Sequence, residues 1–358
     1  MSLVSRKLGT AAAGAGGAGG GSYLAINSKS NGILRILDHT TPGTVTAGDT
    51  IQVGGGGNDG YSCQFSSDDS FIVACSEGDP RVHLINSSNI SSLSSTDSIN
   101  AGWRSSSIAL SPDDSYVAIG YWDYNSYNPS IQIFSISSGS LSLSSTTATT
   151  GNTNTGGGSI MSIDFSPDGN YLAVFGRAES SSHGRIWLYS FSSGSITLAA
   201  TYDGGSSSSI TYYNGVRFSP DGSMIGASMY NKIKFFTYTS NSITNTGEES
   251  ISGGGVFYSF SWKPDGSQIA TCASGQKKLS VYNVSNSGAT ISAGPTYTLP
   301  EVSFCSEYSP DGNYIACSVD NATSFVLLDS SNPSSLSLAD SLSSGYYTTG
   351  DRMSWSHS

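Results

Sequence analysis

The chain is short of charge. Asp, Glu, Lys and Arg make up 11 % of its 358 residues, less than half of the roughly 25 % usual in soluble domains. Lys and Arg together number 15 against 26 Asp and Glu, a net charge of −11. A nucleic-acid binder needs a basic face to displace counterions. None is visible, so no nucleic-acid partner is expected. No apolar run approaches the ~18–20 residues of a membrane span, so no membrane insertion is expected either. There are 5 cysteines and no C-x-x-C pair, which removes the usual zinc and redox motifs. The cysteines read as small thiols buried in strands; hairpin bonds Cys63–Cys75 and Cys305–Cys317 are the alternative. Catalytic signatures are missing as well: no H-E-x-x-H, no G-x-x-x-x-G-K-[ST], and no G-x-S-x-G in a strand–turn–helix setting. His39, His83, His183 and His357 fall at unrelated places, so no converging metal site, catalytic residue or cofactor is expected. The N-terminal Ala/Gly stretch lacks the Leu/Val-rich core of a secretory signal.

What is abundant is serine (76), glycine (43), tyrosine (20) and phenylalanine (13), with 37 % of residues apolar. That mixture has the aromatics a disordered chain lacks and favours β-structure. An internal repeat organises it: CQFSSDDSFIVAC (63–75), IALSPDDSYVAIG (108–120), IDFSPDGNYLAVF (163–175), VRFSPDGSMIGAS (216–228), FSWKPDGSQIATC (260–272) and SEYSPDGNYIACS (306–318). The shared Asp falls at 68, 113, 168, 221, 265 and 311. Periods of 40–50 residues with strand patterning mean propeller blades. Each S-P-D-G is a type I turn: Ser at i, Pro presetting φ at i+1, Gly accepting positive φ at i+3. The Asp is therefore read as a turn residue, not a calcium ligand. A third alternating run follows each hairpin, as in Arg81–Ile85, Arg185–Tyr189 and Lys278–Tyr282. A weaker Ser/Thr-rich fourth run follows that, as in Ser195–Ala199 and Leu336–Leu338. Polar outer strands suit a blade edge.

The ends complete the count. GSYLAI (21–26) matches the second half of the hairpin, and its first half reappears as Met353-Ser354-Trp355-Ser356. Residues 21–56 and the last few residues therefore share one blade. The expectation is a single all-β domain, 21–358: a seven-bladed β-propeller of four-stranded antiparallel blades, closed by both termini. The hairpins and strand order resemble the WD-repeat family and the TolB-type propeller repeats. The family's Gly-His and Trp-Asp pairs are absent: Trp187 is followed by Leu188 and Tyr189.

Turns between the first and second strands lie on one face with those between the third and fourth; the remaining, more variable loops lie on the other. Loops concentrate binding residues. On that second face Tyr121, Trp122, Tyr124 and Tyr127, with Trp103, Arg104, Tyr212 and Tyr213, form the candidate ligand surface. Aromatic faces beside Asn and Asp suit a glycan or a protein partner; the alternative is that these rings pack between blades. Residues 1–20 read as an Ala/Gly-rich docking arm, with Leu3, Val4, Arg6, Lys7 and Leu8 as anchors to other virion proteins. The arm and the Ser/Gly/Thr-rich composition resemble tailed-phage virion proteins. That resemblance implies a non-enzymatic structural or adhesion protein, located in the virion and turned toward a host-surface glycan. The alternatives are a secreted or cell-surface bacterial scaffold, and a channel-mouth hydrolase of the lactonase or glycosidase kind.

Overall fold

The computed structural model describes residues 22–28, 32–53, 60–78, 81–101, 105–121, 130–148, 159–178, 183–204, 215–229, 231–250, 255, 257–273, 275–319, 323–343 and 353–357. They form seven four-stranded antiparallel sheets, the blades of a β-propeller, and contain no helix. In chain order the second blade is Gly60–Phe65, Phe71–Ser76, Val82–Asn86 and Ser94–Ile99. The third to seventh repeat this order from inner to outer strand, beginning at Ser105–Leu110, Ser159–Phe165, Val216–Phe218, Phe257–Trp262 and Ser303–Tyr308. The first blade is composite. Its inner strand is Ser354–Trp355, followed by Tyr23–Asn27, Ile33–Asp38 and Thr46–Gln52. Trp355 sits opposite Leu24 and Ser354 opposite Ala25. The ring closure expected from the two ends is therefore present.

The turns carry the predicted chemistry. Gly169, Gly222, Gly266 and Gly312 have φ of 71°, 71°, 73° and 70°. Where the repeat has Asp instead, Asp69 and Asp114 take φ of 60° and 58°, a region Asp tolerates better than most residues. Asp168 Oδ1 accepts from Ser166 Oγ at 2.5 Å and from the Asn170 N–H at 3.0 Å. Asp68, Asp113, Asp221 and Asp311 accept from their own turns in the same way, whereas Asp265, two residues after Lys263, accepts from the Ser267 N–H and Oγ. The third and fourth strands run longer than their sequence cores, as in His183–Ser192 with Ser195–Asp203. Tight turns with positive φ, such as Ser193 at 48° and Gly194 at 79°, let these strands pair to their ends. The seventh fourth strand is Ser337–Ser343, so Leu336 precedes it.

The core lies between blades, with one buried cluster at each of the seven junctions. Trp187 and Tyr189 fill the junction of the third and fourth blades. The outer strands are the wet ones, exposing Leu143, Leu198 and Leu338. All five cysteines are buried and free, so neither candidate hairpin disulfide exists. No helix among the described residues is long and apolar enough to cross a membrane.

Candidate functional site

A propeller's blades are separate sheets, so the inner strand of each has N–H groups with no ladder partner on its channel side. Buried backbone donors must be satisfied somewhere. Here the side chains do it. The residue just before the aromatic position of each hairpin is Gln64, Ala109, Asp164, Arg217, Ser261, Glu307 or Ser354. Gln64 Oε1 accepts from the Leu110 N–H at 3.0 Å, and Asp164 Oδ2 from the Phe218 N–H at 2.8 Å. Ser261 Oγ accepts from Tyr308 N–H at 3.1 Å, and Ser354 Oγ from Phe65 N–H at 3.0 Å. Each bond ties one blade to the next. Two residues earlier, Ser107 and Ser162 repeat the pattern toward the N–H groups of Ile163 and Val216.

Two positions of this collar carry opposite charges and leave the pattern. Arg217 has no oxygen to offer the next blade. Its Nη1 donates to Glu307 Oε1 at 2.8 Å, and Nη2 lies 2.7 Å from Oε2. The pair spans from the fifth blade to the seventh across the front of the sixth. The two side chains are only 12 % and 17 % exposed, which places the pair out of reach of full solvent screening. Burial alone would lower the guanidinium's pKa, but the Glu307 charge outweighs it and raises it above its ordinary value. Beneath the pair, burial and the Glu307 charge push the Cys305 thiol up to about 12. Beside Arg217 is a cavity of about 10 Å³, lined by Ser107, Ser162, Gly215, Tyr258 and Ser259; that is room for about one water. Above it the rings of Tyr258 and Phe304 stack at 5.1 Å and 20°, forming a partly exposed aromatic shelf.

Of the predicted ligand residues, Tyr121 is placed as the last residue of the second strand of the third blade, facing Ser130 and Ser105 in register. It belongs to the sheet, not to the loop that follows, because its backbone completes the ladder to both neighbours. Trp122, Tyr124, Tyr127, Trp103, Arg104, Tyr212 and Tyr213 lie outside the described residues, as do Leu3, Val4, Arg6, Lys7 and Leu8. His39 is buried against Tyr314 and Trp355, its Nε2 accepting from the Gly43 N–H at 3.2 Å. Among the described residues, no three His, Cys, Asp or Glu side chains form a metal-ligating group. Arg217, Glu307, Tyr258 and Phe304 were not singled out by the sequence. The available signal was the variable position before each repeat aromatic, where a cation and an anion occur two blades apart.

The family described as WD domain, G-beta repeat matches residues 145–204, a span that contains the fourth blade. With seven blades in a ring, this is a WD-repeat-like β-propeller. No curated protein matches the sequence. Among solved structures, a Bacteroides fragilis protein provisionally called a 6-phosphogluconolactonase is similar at 12 % identity and TM-score 0.74, over 93 % of this chain and 97 % of that one. The periplasmic gluconolactonase of Pseudomonas aeruginosa is similar at 14 % identity and TM-score 0.72, over 92 % and 98 %. The β-propeller domain of Swd1 from Myceliophteria thermophila is similar at 12 % and TM-score 0.65, over 83 % and 90 %. Likeness at these identities is likeness of fold. The expectation of a phage virion structural protein is corrected here: the whole-chain neighbours are cellular propellers, prominently of the gluconolactonase kind, and nothing supports a virion, tail or host-attachment assignment. Composition misled because Ser/Thr-rich outer strands such as Ser140–Ala148 supply the same bias in a propeller of any kind.

Proposed function

We propose that the chain is a lactonase-type propeller that binds a small sugar-acid lactone at the channel mouth and opens its ring ester. This departs from the sequence expectation of a non-enzymatic protein. The observation that carries it is the Arg217–Glu307 pair, the two charges of the collar that bind no backbone of the next blade. The end-to-end likeness to gluconolactonase propellers supports the same reading. The sugar ring would rest on the Tyr258–Phe304 shelf, since aromatic faces suit the apolar face of a sugar. Arg217 would polarise the lactone carbonyl and stabilise the oxyanion as water adds to the carbonyl carbon. Glu307, released from its fork as the substrate takes over Arg217, would accept the proton of that water. The acyl–oxygen bond then breaks and the ring oxygen leaves as a hydroxyl, taking a proton back.

The test is hydrolysis of glucono-δ-lactone and 6-phosphogluconolactone by the full chain, measured against the spontaneous rate. Removing one oxyanion donor costs about 10²–10³-fold, so Arg217→Met should lose about that much in kcat, and Glu307→Gln a comparable amount. No acceleration by the wild-type chain, or unchanged rates in both folded variants, sinks the proposal. A purely interaction-type propeller is the second reading. It is favoured by the collar, which commits Gln64, Asp164, Ser261 and Ser354 to holding blades together.

A further inference from the structure

A second cleft lies away from the channel, between the fifth and sixth blades, with a volume of about 200 Å³. The outer strand of the sixth blade, Thr290–Thr298, lines it with a bulge of the kind that each outer strand carries. Ala293 faces Tyr282 and Thr296 faces Ser280, so Gly294 and Pro295 both stand opposite Val281. Proline is tolerated in a sheet at such a bulge or on an edge. Gly294 suits the bulge, because a Cβ there would meet the Val281 carbonyl oxygen of the paired strand at 3.0 Å.

Two opposite charges face this cleft from different blades: Glu249 from the outer strand of the fifth, Ser242–Ser250, and Lys278 from the third strand of the sixth, Lys278–Ser285. Both are half-buried, and neither has an ion-pair partner among the described residues. Their ladder neighbours are Ile233 and Thr298, which are uncharged. Glu248, next in sequence, points the other way and takes Lys232 and Lys234, so neither of those two lysines serves Glu249. The lining of the cleft also includes Gln276, Tyr282, Ala293 and the buried Phe257. Burial, then the Glu249 charge, raise the Tyr282 pKa, so the hydroxyl remains a donor beside the carboxylate.

A cleft with one unpaired cation and one unpaired anion selects against singly charged ligands. An anion meets Glu249, a cation meets Lys278, and a neutral polyol offers each charge only the weaker hydrogen bonds of uncharged hydroxyls. Half-buried charges are best satisfied by charge-assisted hydrogen bonds. We propose that this cleft binds a small zwitterion of the free α-amino-acid class, its ammonium at Glu249, its carboxylate at Lys278 and an aliphatic side chain over Ala293 and Gly294. The site is independent of the channel chemistry, so lactone turnover neither supports nor opposes it.

L-leucine is the probe, titrated into the full chain by calorimetry or ligand-observed NMR. Isovalerate, isoamylamine and glucose serve as the anion-only, cation-only and neutral controls. Leucine is expected to bind with a dissociation constant of about 1 mM or tighter, and each control at least tenfold more weakly. Lys278→Met and Glu249→Gln should each weaken leucine binding at least tenfold, with circular dichroism confirming the fold; if one variant fails to fold, the other carries the test. No leucine binding at about 10 mM, equal binding of a control, or folded variants that bind like wild type would overturn the proposal.

Discussion

Replacing Trp355 with alanine tests whether the C-terminal ribbon closes the ring. Trp355 is 5 % exposed and packs in the junction of the seventh and first blades with Leu24, Leu37, Val45, Ala316 and Phe325. Its Nε1 donates to the Glu307 carbonyl at 3.3 Å, and its ring meets His39 edge-on at 5.4 Å. Aromatic side chains bury about 150–250 Å², which at about 25 cal/mol per Å² corresponds to about 4–6 kcal/mol. Measured losses for Trp→Ala in cores are about 3–5 kcal/mol, and the lost hydrogen bond belongs within that figure. We therefore expect Trp355→Ala to lower unfolding free energy by about 4 kcal/mol in urea. Hydrogen exchange should speed up first in Tyr23–Asn27, the strand that Trp355 and Ser356 hold: Ser356 Oγ accepts from the Tyr23 N–H at 3.0 Å, and the Tyr23 carbonyl takes the Ser356 N–H at 2.8 Å. Leu143→Ala is the control, 56 % exposed on an outer strand, with an expected change within about 0.5 kcal/mol. A Trp355→Ala loss below about 1 kcal/mol, or protection in 23–27 equal to wild type, would refute the closure argument.

Two further expectations concern acid and thiols. Asp68, Asp113, Asp168, Asp221 and Asp265 all sit below the ordinary carboxylate value; in Asp68 the Ser70 hydroxyl is the main cause, and in the others hydrogen bonds from the turn outweigh burial. The folded form therefore binds these protons less readily than the unfolded chain. Their stabilisation is complete above about pH 4 and is lost as pH falls through the folded values. Urea midpoints measured from pH 7 to pH 2 should fall only below about pH 4, and a decline beginning near pH 6 would contradict this. The five buried cysteines should be inert to a thiol reagent in the native protein and all react in denaturant without reductant. Fewer than five reactive thiols after unfolding would mean that a disulfide had formed.

Much of the architecture is periodic and local, and so was readable along the chain. S-P-D-G specifies a turn by proline's φ, a serine cap and a glycine in the left-handed region, whatever surrounds it. Six turns of this pattern at blade spacing, three of them exact S-P-D-G, with the missing half-hairpin at Met353–Ser356, were enough to count seven blades and to pair Trp355 with the strand starting at Tyr23. The turn aspartates were equally legible, since their partners lie within a few residues. The exact ends of the outer strands were not, because pairing there extends until a neighbouring turn allows no more.

The site depends on distance in sequence. Arg217 and Glu307 are 90 positions apart, and each alone looks like an ordinary polar residue at the alternating face of a strand. Only the ring brings them to one height of the channel, and only the separateness of the blades explains why their equivalents, Gln64, Asp164, Ser261 and Ser354, are taken up in satisfying orphaned N–H groups. The same holds for Glu249 and Lys278, which share a cleft because two different sheets meet there. Local stereochemistry determined the blades and their number; which charges face one another was decided by closure of the ring, because electrostatic partners are chosen by proximity in space and the sequence records only proximity along the chain.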